Sequence, residues 1–346
     1  MMAAPPDARA ALEAAWRRQG RRESLVLFGP RRQGKTHLIR QLAGSPGAFG
    51  EDARVATLNL QSVAWAEGAR DLCHAIAAAL WAAGPDGGAE PAPEAFARRP
   101  LAALDRFLAG RARRSPPRRD LLLLDEYELL AELPDARQAG LLRALLDAPH
   151  LATGFVGLHH PDELAPPLRD ALAGCPALLV GRLDPAAFAW ALAAGAGARA
   201  PQFAPDARER AFALTGGQPF LGRVLGEVMA IRDADRAGAG AAFAAADVDA
   251  AAGSPAFALG ARPYFAGHWA RADERPPGQR AVLAALAPHE GGLDAGRLRA
   301  ESGLDPAALD AALASLARHD AVETREGRHR FGVELLRRRV AAGLGG

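Results

Sequence analysis

The sequence predicts an α/β fold with a mostly parallel sheet flanked by helices, followed by a helical subdomain and a winged helix-turn-helix. Three observations predict this. Short apolar runs alternate with longer helical patterns up to about residue 198, which is typical of strand–helix units with parallel strands. Residues 201–273 contain helical patterns and no convincing strand. Residues 278–331 then carry three helical patterns followed by two short strand-like runs, the order of a winged helix.

We therefore expect three domains: an α/β domain over 1–200, a helical subdomain over 201–273 and a winged-helix domain over 274–346. The length of 346 residues suits two or three domains with a substantial core. Arg275, Pro276 and Pro277 mark the second boundary.

The strands of the first domain are predicted from continuous apolar runs, because a strand of a parallel sheet is buried on both faces. We expect strands over 24–28, 54–60, 121–124, 151–157 and 177–180, and helices over 7–19, 37–42, 66–82, 94–112 and 136–147. In the second domain we expect helices over 206–214, 217–231 and 240–252 and a further helix ending near Trp269. In the third, helices are expected over 278–287, 294–302, 306–318 and 333–343, with strands over 321–324 and 329–331.

A phosphate-binding motif follows the first strand. Residues 29–36 read Gly-Pro-Arg-Arg-Gln-Gly-Lys-Thr, which is the P-loop pattern G-x-x-x-x-G-K-T between a strand and a helix. Backbone amides of 31–36 can surround the β- and γ-phosphates, Lys35 would neutralise charge between them, and the Thr36 hydroxyl would bind Mg²⁺. Lys35 is also the single lysine among 42 Lys and Arg residues. The residues predicted to contact the nucleotide are Gly29, Pro30, Arg31, Arg32, Gln33, Gly34, Lys35, Thr36 and His37.

A second motif is predicted from the third strand. Four leucines over 121–124 are followed by Asp125 and Glu126, the pattern of a Walker B element. Asp125 would hold Mg²⁺ through water, and Glu126 would orient and polarise the attacking water. Glu126 and Lys35 are thus the predicted catalytic residues. The alternative is a solvated carboxylate pair that only ends a strand, and the upstream P-loop favours the functional interpretation.

Other candidates carry a weaker signal. The fourth strand is followed by His159 and His160, either of which could sense the γ-phosphate or could be an ordinary loop histidine. Arg169 and Arg182 flank the fifth strand, where an arginine finger or a surface charge would both fit. These alternatives stay open in the sequence.

Together the two motifs resemble the AAA+ class of P-loop ATPases, and more narrowly the archaeal-type and STAND-like ATPases with a C-terminal winged helix. In those proteins the P-loop often reads G-P-R-R-x-G-K-T, as Gly29 to Thr36 do here, and Thr215 to Phe220 is similar to the G-G-x-P element that opens a helix of the lid subdomain. The resemblance implies ATP and Mg²⁺ as ligands. It also implies a slow or partner-regulated ATPase, in which nucleotide controls the lid, the winged helix and a protein partner or self-association.

The expected partners follow from charge. The net charge is +2, and the third helix of the predicted winged helix, residues 305–318, offers two aspartates and one late arginine. Base edges favour Arg, Lys, Asn or Gln, so DNA is a possible but less favoured partner. The rival hypothesis is a DNA-acting ATPase resembling origin-recognition or transposition-helper proteins, and a third is a scaffold that binds nucleotide without hydrolysis.

Composition excludes several classes of site. Two cysteines, Cys73 and Cys175, cannot form a disulfide framework or a zinc site. The first residues lack the apolar core of a signal peptide, and the longest uncharged run, about 185–198, is too short to span a bilayer. We therefore expect a cytoplasmic protein that does not contact membranes.

Overall fold

The computed structural model describes residues 24–45, 49, 53–63, 68–84, 89–113, 119–148, 150–195, 202–234, 242–274 and 276–343. The helix predicted over 7–19 lies outside these residues. The chain divides into two compact units: one contains Lys35–Val180 and the strand before the P-loop, and the other contains Gly181–Gly346 together with Pro30–Gly34. The division into three domains stays a prediction.

The first unit is built on five parallel strands. They are β1 (Leu25–Phe28), β2 (Ala53–Asn59), β3 (Arg119–Asp125), β4 (Leu151–Gly157) and β5 (Ala177–Leu179). Its helices are α1 (Lys35–Ala43), α2 (Ala69–Ala82), α3 (Pro100–Ala112), α4 (Asp135–Leu146) and α5 (Leu168–Leu172). This parallel sheet confirms the predicted α/β class.

The strand order β2-β3-β4-β1-β5 positions the site. Asp125 at the end of β3 lies opposite Asn59 of β2 and Val156 of β4, and Phe28 at the end of β1 lies opposite Gly157 of β4. Because the carboxyl ends of parallel strands share one edge, the P-loop, Asp125 and the turn after β4 lie along the same edge.

The core of this unit explains why β1, β3 and β4 lie in the middle of the sheet. Leu121 to Leu124 of β3 are all buried, as are Val26 of β1 and Phe155 of β4. All of these except Leu121 and Leu123 share one core with apolar residues of α2, α3 and α4, including Leu72, Leu104 and Leu142. Strands buried on both faces need continuous apolar runs, which is why their positions could be predicted from the sequence.

One predicted helix is wrong in its first turns. The sequence pattern predicts a helix over 94–112, but the structure contains a short 3₁₀ helix, Pro93–Phe96, and then α3 from Pro100. The reason is Pro100, which disfavours helical backbone at the residue before it; Arg99 has φ −138° and ψ 72°. The short helix α5 was not predicted.

The second unit begins with five helices: α6 (Pro185–Gly195), α7 (Pro205–Thr215), α8 (Pro219–Ala234), α9 (Ala245–Ala252) and α10 (Pro255–Arg271). Each of them except α9 starts with proline, which suits the first helical position because its missing N–H is not needed there. In the described residues between 202 and 274 only an isolated bridge, Phe203 to Phe243, links extended segments. Within those described residues, the predicted helical region without a regular strand is confirmed.

The rest of this unit combines helices with a small antiparallel sheet. The helices are α11 (Gln279–Leu286), α12 (Ala295–Ser302), α13 (Pro306–Arg318) and α14 (Glu334–Ala341), and the strands are β6 (Leu293–Asp294), β7 (Val322–Arg325) and β8 (Arg328–Phe331). The sheet order is β6-β8-β7. Glu326 and Gly327 turn between β7 and β8 with positive φ angles of 52° and 72°. The element order is the one expected of a winged helix-turn-helix, and that assignment stays a prediction.

No helix in the described part of the chain is both long and apolar enough to cross a membrane.

Candidate functional site

The P-loop turns between β1 and α1, and its backbone requires glycine at two points. A Cβ on Gly29 would lie 2.8 Å from the carbonyl oxygen of Val180, so a larger residue would collide with the backbone. Gly34 has φ +90°, a conformation that residues with a side chain rarely adopt. Arg32 between them also has positive φ, at 67°. Such turns direct successive N–H groups toward one point and create an anion-binding concavity.

Lys35 is the first residue of α1, and it is only 8% exposed. Its ammonium Nζ donates a hydrogen bond to the carbonyl oxygen of Gly29 at 2.6 Å. The side chain therefore bends back along the loop to the end of β1. This places a positive charge where the N–H groups of the loop already favour an anion.

Thr36 and Asp125 join the two motifs. The hydroxyl of Thr36 donates to Oδ2 of Asp125 at 2.8 Å, and Asp125 is only 4% exposed. A hydroxyl and a carboxylate at hydrogen-bond distance are oxygen ligands of the kind that Mg²⁺ prefers. Among the described residues no cluster of three or more His, Cys, Asp or Glu side chains could hold a metal. The prediction that Thr36 and Asp125 hold Mg²⁺, together with phosphate oxygens and water, fits this geometry.

Glu126 adopts an unusual backbone conformation. It has φ 59° and ψ 46°, the left-handed region, and lies between β3 and the 3₁₀ helix Tyr127–Glu132. For a residue other than glycine this conformation costs about 1–2 kcal/mol. Strain of this kind is often retained at functional sites. The predicted water-orienting carboxylate thus belongs to the residue at which the chain leaves the sheet.

Glu128 was not predicted as a site residue from the sequence, although its carboxylate binds the turn that follows β4. Its Oε1 accepts hydrogen bonds from the backbone N–H groups of Leu158 and His159, the latter at 3.0 Å. A Cβ on Gly157 would collide with the same carboxylate, so glycine at the end of β4 leaves room for Glu128 in this position. The signal in the sequence is only an acidic residue two positions after Glu126, which by itself is common.

Tyr127 also binds this turn, through the backbone carbonyl of His159. Its hydroxyl donates to the carbonyl oxygen of His159 at 2.8 Å. Burial, followed by the carboxylates of Glu128 and Glu163, raises the pKa of the Tyr127 phenol, so it keeps its proton and remains a donor. Tyr127 and Glu128 therefore fix both the N–H and the C=O of His159.

The two histidines after β4 point to different neighbours. The His160 ring packs edge-on against Phe28, with ring centroids 5.1 Å apart, and its Nδ1 accepts from the N–H of Asp162 at 3.2 Å. Nδ1 of His159 lies 3.7 Å from a carboxylate oxygen of Glu163. Because Phe28 immediately precedes Gly29, His160 lies next to the start of the P-loop. Phosphate sensing by either histidine stays a prediction.

Within the second unit, two glutamines hold the P-loop residues. Gln33 is 2% exposed and Gln218 is 1% exposed. Nε2 of Gln218 donates to the carbonyl oxygen of Arg32 and to Oε1 of Gln33, both at 3.2 Å. Its Oε1 accepts from the N–H of Leu221 at 2.7 Å, which orients the amide. The Arg32 guanidinium also lies 4.5 Å from the centre of the Phe220 ring.

Asp320 joins this contact to the C-terminal elements. Its Oδ2 accepts from Gln33 Nε2 at 3.4 Å and from the Arg182 N–H at 3.1 Å. The Arg182 guanidinium pairs with Asp320 at 3.3 Å and with Glu323 at 2.8 Å. Burial alone would lower the pKa of Arg182, but Asp320 and Glu323 raise it. We refer to Gln33, Gln218, Asp320 and Arg182 as the polar relay.

The structure brings some of the predicted site residues together and leaves others apart. Lys35, Thr36 and Asp125 are buried or hydrogen-bonded at one edge of the sheet, with Glu126 next to Asp125. Arg31 and Arg32 are exposed, Pro30 and Gln33 are buried, and His37 is half-buried. Of the two candidate arginine fingers, Arg182 is engaged within the second unit, and Arg169 is exposed and pairs with Asp170 at 3.0 Å. The roles assigned to these residues remain predictions.

Comparison with known proteins supports the interpretation of the first unit. Residues 17–164 match the family model described as an AAA domain. A comparison with curated protein sequences finds no match.

Among solved structures, the chain is similar to the Walker-type ATPase PABY2304 of Pyrococcus abyssi, with a TM-score of 0.62 and 16% identity over 96% of this chain and 94% of that one. It also matches the ORC1 protein of Aeropyrum pernix in complex with DNA, with a TM-score of 0.47 and 16% identity over 98% of this chain and 92% of that one. A third match is the RuvB Holliday junction branch migration motor of Thermotoga maritima, with a TM-score of 0.40 and 14% identity over 95% of this chain and 92% of that one. At such identities the first of these shows the fold alone, and the other two add no argument.

Proposed function

We propose that this chain, whose residues 17–164 match the model of an AAA domain, is an ATP-driven molecular switch of the P-loop ATPase class. In this proposal the chain binds ATP with Mg²⁺ and hydrolyses it. The nucleotide state then controls the arrangement of the helical and C-terminal elements and, through them, contact with a protein partner or a second copy. The observation that carries the proposal is the hydrogen bond between Thr36 and Asp125 beside the buried ammonium of Lys35.

The phosphate-binding step rests on the P-loop. The N–H groups of residues 31–36 and the start of α1 would surround the terminal phosphates, and Lys35 would exchange its bond to the Gly29 carbonyl for phosphate oxygens. Thr36 and Asp125 would hold the metal. When bound, Mg²⁺ supplies positive charge that neutralises the β- and γ-phosphate oxygens.

The hydrolytic step rests on the residues that end β3 and β4. Glu126 would accept a hydrogen bond from the attacking water and hold it in line with the γ-phosphate. Tyr127 and Glu128 would keep the turn carrying His159 and His160 in a fixed place relative to that water.

The switching step rests on the polar relay. Gln33 is part of the P-loop, and its side chain bonds both Gln218 and Asp320 within the second unit. A γ-phosphate that changes the conformation of residues 30–34 would therefore change the hydrogen bonds of Gln218 at the start of α8 and of Asp320 before β7. A ligand shifts a conformational equilibrium only through such differential contacts.

A phosphate-release assay with Mg²⁺ tests the enzymatic part of this proposal, and hydrogen exchange tests the switch. We expect slow release of phosphate by the purified protein. We also expect residues 215–221 and 316–333 to change their amide exchange when a slowly hydrolysed ATP analogue is added. If phosphate is released but amide exchange changes at neither segment, the chain is an ATPase and the proposed switch is contradicted.

The rival hypothesis of a DNA-acting ATPase gains no specific support from α13. Asp305 uses its carboxylate to accept the N–H of Ala308 at 2.9 Å as the helix cap, and Asp310 lies on the same helix. Carboxylates on this element would repel phosphates. Filter binding of duplex DNA at two salt concentrations separates the hypotheses, because a DNA-acting protein would bind tightly at low salt and lose affinity steeply at high salt.

A further inference from the structure

A cavity of about 410 Å³ lies in the first unit, and none of its lining residues belongs to the P-loop or to the Asp125–Glu126 pair. The lining residues are Ala69, Arg70, Ala97, Arg98, Arg99, Pro100, Leu101, Ala102 and Arg137. Four of these nine carry a guanidinium, and the lining contains no carboxylate. The charged side chains of the lining are therefore all positive.

The cavity forms where three helices begin. Ala69 and Pro100 are the first residues of α2 and α3, and Arg137 lies in the first turn of α4. Neither α2 nor α3 has a side chain that caps its first N–H groups. Helix starts carry partial positive charge, so they add to the potential of the arginines.

Three of the four arginines of this cavity differ from paired arginines elsewhere in the chain. Arg111 pairs with Asp120 at 2.8 Å and Arg210 pairs with Asp249 at 2.7 Å. In contrast, Arg98, Arg99 and Arg137 are exposed, and no ion pair joins them to a carboxylate in the described part of the chain. Three like charges at one concavity repel one another, and a bound anion would relieve that repulsion.

We propose that this cavity binds a ligand with two or more phosphate groups and recognises the phosphates alone. Guanidinium groups match phosphate oxygens with paired hydrogen bonds. The lining contains no aromatic residue on which a base could stack. The volume lies in the range of small-molecule sites, so a free polyphosphate or two adjacent backbone phosphates of a nucleic acid strand would fit.

The experiment uses the full chain with Lys35→Ala, which removes phosphate binding at the P-loop and keeps this test independent of the proposed function. Sodium tripolyphosphate is titrated by calorimetry, and a labelled single-stranded DNA of about 20 nucleotides is titrated by fluorescence anisotropy at two salt concentrations.

The test variant adds Arg98→Gln, Arg99→Gln and Arg137→Gln. The control adds Arg208→Gln, Arg262→Gln and Arg299→Gln, three arginines that are also exposed and have no ion pair in the described residues. Both variants lose the same charge.

At least one probe is expected to bind to the Lys35→Ala protein and to bind about tenfold or more weakly to the test variant, while the control changes less than about twofold. If DNA is the probe that binds, the magnitude of the slope of log K against log salt should fall by about 1.4 in the test variant, because two phosphate contacts would be lost. Binding of tripolyphosphate without DNA identifies a free polyphosphate, and binding of DNA identifies a nucleic acid backbone. Absence of binding by both probes, or equal losses in the test and control variants, overturns the proposal.

Discussion

The hydroxyl of Thr36 donates a hydrogen bond of 2.8 Å to Oδ2 of Asp125, across 89 positions of sequence. The bond connects the start of α1 to the end of β3, because β4 alone separates β1 from β3 in the sheet. Two short motifs that are far apart in the chain thus present adjacent oxygens beside the ammonium of Lys35. This arrangement is the basis for expecting a metal–triphosphate complex at this edge.

The role of Glu126 predicts a separation of binding from turnover. Glu126→Gln keeps the size of the side chain but removes the charge that would polarise water. Turnover should fall at least about 100-fold, while the affinity for Mg²⁺–ATP should change little. Phosphate release and calorimetry measure the two quantities, with Glu132→Gln, an exposed carboxylate of the 3₁₀ helix that follows Glu126, as the matched control. Full turnover by Glu126→Gln would remove this residue from the mechanism.

Glu128 should act on turnover through position rather than contact. Glu128→Ala leaves the N–H groups of Leu158 and His159 without their carboxylate, so the turn after β4 should shift. We expect the turnover number to fall about tenfold and the affinity for ATP to change less than about twofold. Steady-state kinetics and calorimetry together measure this split, and Glu132→Ala is the control. An equal loss of affinity and turnover would instead indicate general damage to the fold.

The polar relay predicts an effect on stability. Gln218→Ala removes the donor to the Arg32 carbonyl and to Gln33, and the acceptor of the Leu221 N–H, in a region that is almost fully buried. Buried groups left without partners cost about 1–3 kcal/mol in the free energy of unfolding. Urea denaturation measures the change, and Gln202→Ala, at an exposed glutamine of the same unit, should be close to neutral. Equal stability of the two variants would show that the relay contributes nothing.

A buried histidine predicts a dependence of stability on pH. Burial, followed by His319 and Arg271, lowers the pKa of His268 to about 4, and its ring lies 4.5 Å from that of Tyr264. In the unfolded chain the ordinary pKa is about 6.5, so between these values the unfolded state binds the extra proton. The free energy of unfolding should therefore fall as pH drops through this window, by about 2 kcal/mol at pH 5.

The comparison of wild type with His268→Phe isolates this contribution, because phenylalanine keeps the aromatic contact and cannot be protonated. Urea denaturation at pH 8 and pH 5 should show a smaller loss of stability in the variant. If the free energy of unfolding depends on pH in the same way in both proteins, folding does not lower the pKa of His268.

The central sheet could be predicted from the sequence because its signals are local. The apolar run of 151–157 became β4 with the same bounds, and the leucines of 121–124 became the buried centre of β3. The glycines of the P-loop and the Asp125–Glu126 pair carry their chemistry in a few adjacent residues. For these elements the pattern of neighbouring residues is sufficient.

The polar relay and the Glu128 contact could not be predicted, because they depend on distant partners. Gln33 and Asp320 are 287 positions apart, and nothing near either residue marks the other. In the sequence, Asp320 is already explained as a turn residue that follows the helical pattern of 306–318. In the same way β6 has only two residues, which is too short for an alternating pattern. Tertiary contacts determine these features.

Calorimetry with Mg²⁺–ATP tests the central claim most directly. The folded protein should bind one nucleotide, and Lys35→Ala should weaken the affinity at least about 100-fold, because the loop would lose the only ammonium beside the phosphates. Arg40→Ala, at an exposed arginine of the same helix, controls for the loss of one positive charge. Equal affinity of wild type and Lys35→Ala, or no heat of binding from folded wild-type protein with Mg²⁺, would contradict the account.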